Sequence, residues 1–314
     1  MEVLSRAVSL WIRRAVSLGM RLLRSVGKFS KRNPLGAVGL GIIFGLVVIA
    51  AVGPFVAPYD PFQIGAAPKQ ASVSWCAPPL TWPWDCWDDN VLGGDHLGRD
   101  VLSRILHGAW ISLLVGVAAS IAGTLAGGLL GITGGYWGGK LDALLSRLID
   151  ILMSFPAFVL ALALLTVMER SLSTLILAIA VPYIPFGARV VRASTLVIKE
   201  SQYVEAARAV GASDMRIIFF HVAPGCVAPY IVLVTGLIGV AIIIESALGF
   251  LGLGIPPPTP TWGGMLADAQ TRLFSAPHMG IVPGMFITLA VFAFSIFGDS
   301  LRDVLDPRLR GMRS

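Results

Sequence analysis

Apolar positions in this chain gather into six long runs, near residues 35–57, 110–132, 144–166, 172–192, 229–253 and 279–297. Polar or glycine-rich connections separate them. The first run is the cleanest, because Leu35 to Pro58 holds no charged residue over 24 positions. About 20 apolar residues span a bilayer as a helix, and a buried helix of a soluble protein rarely stays uncharged that long. The pattern predicts an all-α membrane protein with six transmembrane helices, an N-terminal amphipathic helix and a long extracytoplasmic loop. The expected layout is a basic segment 1–34, a first span 35–57, an outer loop 58–108, a core 109–298 that contains a polar loop 193–228, and a tail 299–314.

Composition agrees with the pattern. The 314 residues are 55% hydrophobic and 13% charged, against about 25% charged in soluble domains. The net charge of +6 does not point to nucleic acid, because the cations sit beside the apolar spans. Of 24 Lys and Arg, 19 fall in 1–34, at Lys140 and Arg147, in 189–221 and in 298–314, and 5 in the alternate connections. By the positive-inside rule both termini are expected in the cytoplasm and 58–108 outside. The Arg-rich start lacks a short apolar stretch followed by a cleavage site, so the first run reads as an uncleaved anchor.

Within residues 1–32, Leu4, Val8, Trp11, Ala15, Leu18, Leu22 and Phe29 recur at three- or four-residue steps, apart from one gap. Arg6, Arg13, Arg21 and Lys28 lie on another face. That fits a helix lying in the headgroup plane, with a frayed basic tail as the alternative. The outer loop is acidic and Trp-rich and holds Cys76 and Cys86. In an oxidising compartment these two can close a small ring, and otherwise they remain two thiols. Cys226 lies near the cytoplasmic face and is expected to stay reduced. Ala119, Gly123, Gly127 and Gly131, four apart, mark a face on which helix backbones can approach closely.

Few residues suggest chemistry. Gly134-Gly-Tyr-Trp-Gly-Gly139-Lys140-Leu141 approaches a phosphate-binding loop. Leu141 replaces the magnesium-ligating Ser or Thr, and no strand–loop–helix fits between two spans. The stretch reads as a turn, and no ATP site is expected on this chain. His96, His107, His221 and His278 fit no metal-ligand spacing. Asp142, Arg147 and Asp150 cluster at the start of the third span, where Arg147 and Asp150, one turn apart, can pair or belong to a proton path. Glu245, inside the apolar Ile242-Ile-Ile-Glu245-Ser246, is costly in a bilayer. It reads as a translocation-path carboxylate or as a structural one bonded to a neighbouring helix.

The most informative stretch is the loop 193–228. Tyr203-Val-Glu205-Ala206-Ala207-Arg208-Ala-Val-Gly211 predicts a short helix ending at a left-handed glycine. Ser213 can cap a second helix, beginning at Asp214, that stops before Pro224. Two short helices at the end of a membrane bundle suit docking of a partner.

That stretch resembles the EAA signature of ABC importer permeases, in which Glu-Ala-Ala, three residues and a Gly are followed by a Pro thirteen residues later. Glu205, Ala206, Ala207 and Gly211 match, and Ala223 stands where Leu is usual. Asn33-Pro34-Leu35, Ala57-Pro58-Tyr59-Asp60-Pro61, Asp95-His-Leu-Gly98-Arg99-Asp100-Val-Leu-Ser103-Arg104, the run from Glu245 to Gly254, Trp262-Gly263 and the run from Gly298 to Pro307 resemble the dipeptide, oligopeptide and nickel permeases, in their second-subunit type. Trp110 departs from the Arg common there, and the Trp-rich cysteine loop lies outside the pattern. The resemblance implies a type I ABC importer permease fold and no enzyme activity in this chain. It implies a homologous permease as heterodimer partner, two ATP-binding subunits that carry ATP and Mg, and an extracytoplasmic solute-binding protein. No cofactor or metal is expected on this chain. The loop with Glu205, Ala206, Ala207, Gly211, Ser213 and Asp214 would dock the ATP-binding subunit. A secondary transporter or channel and an intramembrane enzyme are the other classes. The first would need intramembrane ion sites, often in repeated halves, and the sequence has one Glu245 and no repeat. The second would need a catalytic pair at membrane depth, and none is visible in the sequence.

Overall fold

The computed structural model describes residues 33–67 and 91–305. The basic segment 1–32, Cys76, Cys86 and the end of the tail lie outside the described residues. Among the described residues the fold is a bundle of helices. Five stretches are long and apolar enough to cross a bilayer, and a sharply bent helix pair makes a sixth if counted as one span.

Helix α1, Pro34–Val56, starts with proline in its first turn, where a missing N–H costs nothing. Helix α2, Val101–Trp137, has 37 residues and is roughly 55 Å long. It begins nine residues before the predicted apolar run. Asp100 caps it by accepting the Ser103 N–H at 2.7 Å and the Ser103 hydroxyl at 2.7 Å. Burial pushes the Asp100 carboxyl above its ordinary range, and the two Ser103 bonds offset part of that rise.

The small residues of α2 work as spacing predicts. A Cβ at Gly123 or Gly127 would collide with the carbonyl oxygens of Ala180 and Ile184, and one at Gly131 would lie 2.5 Å from that of Ala188. These partners lie on α5, Leu172–Ala180, and α6, Ile184–Lys199, which a 3₁₀ turn at Val181–Tyr183 joins into one span. The fourth span therefore runs to Lys199, past the expected residue 192.

The third span is not the continuous helix expected over 144–166. It splits into α3, Gly139–Met153, and α4, Ala157–Val167, bent by 84°. Pro156 removes a backbone donor and disfavours helix at Phe155, so the chain breaks there. Gly134-to-Lys140 is the end of α2, a one-residue turn at Gly138 and the start of α3, with Gly138 and Gly139 at positive φ.

After α6 come α7, Gln202–Ala209, and α8, Asp214–Ile217. The predicted stop before Pro224 is absent. A π turn, Ile218–Val222, carries the chain straight into α9, Ala223–Phe250. The widened turn lies directly before Pro224, and the helix passes the residue that lacks a donor without stopping. The fifth span thus continues without a loop from α8. Helix α10, Trp262–Ala269, and α11, His278–Leu305, complete the described residues.

Three apolar clusters organise the bundle. One gathers α1, α2, α9, α10 and α11 around fully buried Trp262. A second joins α2, α4, α5 and α9. The third lies beneath α7 and α8. Phe44, Leu125, Leu129, Ile243 and Phe292 are exposed, as the apolar bilayer-facing surface of such a bundle requires.

Candidate functional site

The α7–α8 tip is pegged by few side chains. Val204 is the buried residue of α7 and Ile217 that of α8. They pack with Tyr136 of α2, Val191 of α6, Val222 and Cys226. Helix α7 ends as its sequence predicts. Ala212 N–H donates to the Ala207 carbonyl at 3.0 Å and Gly211 N–H to that of Arg208 at 2.9 Å, with Gly211 at φ +83°. This paired C-terminal closure needs a left-handed residue. Ser213 occupies the capping position of α8, but its side chain makes no capping bond.

The remaining predicted residues meet at this tip. Glu205, Ala206, Gly211, Ser213 and Asp214 are exposed and Ala207 is half-buried. Around them stand exposed apolar groups, with Val210 at 85%, Phe219 at 68% and Phe220 at 72%, beside half-exposed Tyr203 and Met215. Glu205 lies in the first turn of α7, where a carboxylate complements the helix dipole. A glycine-turned knob of exposed apolar groups and charges of both signs, held on a rigid bundle, can fill a groove. It carries no nucleophile–base arrangement for covalent chemistry.

The other predicted residues are placed differently. Arg147 and Asp150 do not form the expected pair, because Asp150 takes Arg189 of α6 at 3.0 Å. Asp142 takes Arg192 with both oxygens, at 2.6 Å each. Helix α6 runs beside α3 and presents two guanidiniums that sequence spacing along α3 could not reveal. Glu245 is fully buried within this chain. Ser246 hydroxyl donates to its Oε2 at 3.2 Å, and its Oε1 has no partner among the described residues. A Cβ on Gly263 would lie 2.7 Å from the Ser246 Cα, so α10 is pressed against α9 beside the carboxylate. Glu245 therefore offers no surface to a passing solute in this conformation.

One cluster escaped the sequence reading. Arg99 binds Asp95 at 2.5 Å and Asp268 at 3.1 Å, while Arg104 lies 3.6 Å from Asp95 and 3.7 Å from Asp268. Asp95, Arg99 and Arg104 are buried. The Ala67 N–H donates to the Gly98 carbonyl at 2.9 Å, and His278 Nε2 lies 3.2 Å from the Gly94 oxygen. The knot thus joins segment 57–67, the turn before α2, α10 and α11. Asp95, His96 and Asp268 come close enough to hold a metal ion, but two guanidiniums already neutralise both carboxylates. Two Arg and two Asp within ten residues were the legible signal. Asp268, 169 residues from Arg99, gave none.

Residues 101–311 match the family described as binding-protein-dependent transport system inner membrane component. The chain belongs to that family. This permease also matches, over residues 24–74, the N-terminal TM domain of oligopeptide transport permease C. It is 41% identical over 284 residues to the "Glutathione transport system permease protein GsiD" of Salmonella paratyphi A, covering 90% of this chain and 89% of that protein. The protein of the same name from Shigella flexneri serotype 5b is 42% identical over the same coverage. A structure of the MetNI methionine ABC transporter in inward-facing conformations superposes with a TM-score of 0.53 at 19% identity, covering 65% of this permease and 96% of that chain, which shows a shared fold. This permease is thus a multi-pass inner-membrane subunit of an ABC importer of the peptide subfamily. Its relatives are transport permeases, not enzymes.

Proposed function

We propose that this permease forms half of a translocation path for glutathione or a peptide of similar size, and that its α7–α8 tip docks an ATP-binding subunit. It would pair with a homologous permease as a heterodimer, with two ATP-binding subunits and an extracytoplasmic solute-binding protein. ATP and Mg would sit on the ATP-binding subunits, and both termini and the α7–α8 tip would face the cytoplasm. The names of the relatives support the solute class. The observation that carries the docking assignment is the exposed knob of Glu205, Ala206, Val210 and Gly211, held by Val204 and Ile217 and by the glycine closure. Closure of the nucleotide subunits would push this knob, and α8 is continuous through the π turn with α9, so the push would reach a membrane span directly. That is a two-state element biased from a distant site.

Assembly and uptake in reconstituted vesicles test the assignment. Glu205→Lys reverses a charge on the knob without touching the bundle. It should lower recovery of the ATP-binding subunit in a pull-down, or separate ATP hydrolysis from glutathione uptake. Wild-type stoichiometry together with wild-type coupled uptake would refute the docking role.

A further inference from the structure

Helix α2 ends at the tip in a side chain that the family resemblance does not single out. The Tyr136 ring is buried among Val204, Ile217 and Val222, beneath α7 and α8. Its hydroxyl donates to Asp214 Oδ1, on the first residue of α8, at 2.7 Å. The Arg208 guanidinium of α7 lies 5.7 Å from the ring centroid, within cation–π range. One residue of α2 therefore contacts both tip helices through chemically distinct groups. The end of α2 is itself strapped to α6 by the Lys199 ammonium, which donates to the Gly135 carbonyl at 2.9 Å, and a Cβ at Gly135 would lie 3.0 Å from the Thr195 side chain.

We propose that Tyr136 is a positioning residue that latches the α7–α8 tip to α2, so that displacement of the tip is transmitted to the α2–α6 pair as well as to α9. Without the latch, α8 is held to the bundle by the buried Ile217 side chain and by the π turn, a locally widened segment. With it, a push on the tip acts on two spans together. Because the small-residue contacts of α2 leave no space between it and α6, the pair moves as one body. The inference rests on the docking assignment above. The hydroxyl acts through Asp214 and touches no solute.

Tyr136→Phe keeps the ring in its apolar cluster and removes only the hydroxyl. In the complete complex in vesicles it should leave subunit stoichiometry intact and lower glutathione moved per ATP hydrolysed by about tenfold or more, the scale set by one hydrogen bond to a carboxylate. Hydrogen exchange of amides 202–217 should rise while that of α9 and α11 does not. In an Asp214→Ala background, which loses the same bond, adding Tyr136→Phe should produce no further fall. A transport-to-hydrolysis ratio within about twofold of wild type, with unchanged exchange at the tip, overturns the latch. Additive losses in the double variant overturn it equally. If Tyr136→Phe does not assemble, the comparison of Asp214→Ala with Asp214→Asn decides, because Asn retains an oxygen acceptor for the phenol. A ratio no higher in Asp214→Asn than in Asp214→Ala then overturns the latch. Should Glu205→Lys disrupt docking while Tyr136→Phe leaves transport unchanged, the latch fails and the docking assignment stands. Should neither change matter, both fall.

Discussion

The two ends of α2 are held by opposite physics. At its N-terminal end, Asp95, Arg99 and Arg104, all buried, form a knot with the distant Asp268 of α10. At its C-terminal end, the α7–α8 tip is a local structure, made within residues 202–217 and anchored by two buried side chains and Tyr136. The knot fixes segments distant in the chain relative to one another, and each charge depends on the others. The tip keeps its shape through its own backbone and leaves its face free. A transporter element that must meet a partner needs the second design, because exposed complementarity is then available without opening the core.

The sharpest way to break this contrast is to remove one member of the knot. Asp95→Ala strips a buried carboxylate from two guanidiniums, a change expected to cost about 3–5 kcal/mol. Loss of membrane abundance or a large fall in melting temperature in detergent should follow, and near-wild-type stability would mean that water already screens the cluster. Next comes the α2–α6 contact. Gly127→Val forces a side chain into the Ile184 carbonyl and should cost about 1–3 kcal/mol by overpacking, again visible in thermal melting.

At the tip, stability and function should separate. Gly211 has open space around its α-carbon, so Gly211→Val acts through the left-handed conformation alone, at a cost of about 1–2 kcal/mol. The bundle should insert and melt nearly as wild type, while coupled uptake falls. Gly211→Asn, whose side chain tolerates that conformation, should lose less. Equal losses for Val and Asn would mean that bulk at the interface, and not backbone shape, is what matters. The smallest effect belongs to Arg189→Ala. Its pair with Asp150 is more than half exposed on both sides, so the change should cost less than about 1 kcal/mol. A larger effect would show that this pair is shielded in the assembled transporter.

Orientation gives the comparison a direction. Single cysteines at residues 90 and 214, in a background without the three native cysteines, should label and stay unlabelled, respectively, with an impermeant reagent in intact cells. The reverse pattern would place the α7–α8 tip outside and end its role in docking. Mass spectrometry of unreduced protein should find Cys76 linked to Cys86, and two freely alkylated thiols from an oxidising compartment would refute that ring.

What was legible in the sequence is what depends on neighbours along the chain. The apolar runs marked the spans because the bilayer requires long uncharged helices. The turn at Gly211 was readable because only a few residues have access to positive φ. The small-residue face of α2 was readable because four-residue spacing fixes one side of a helix. Three-dimensional packing decided the rest. The choice of Arg189 over Arg147 as partner of Asp150, the enclosure of Glu245 and the meeting of Asp268 with Arg99 all depend on groups far apart in the chain. Local patterns can state what a residue prefers. Which distant charge or backbone comes within 3 Å is set only when the helices pack.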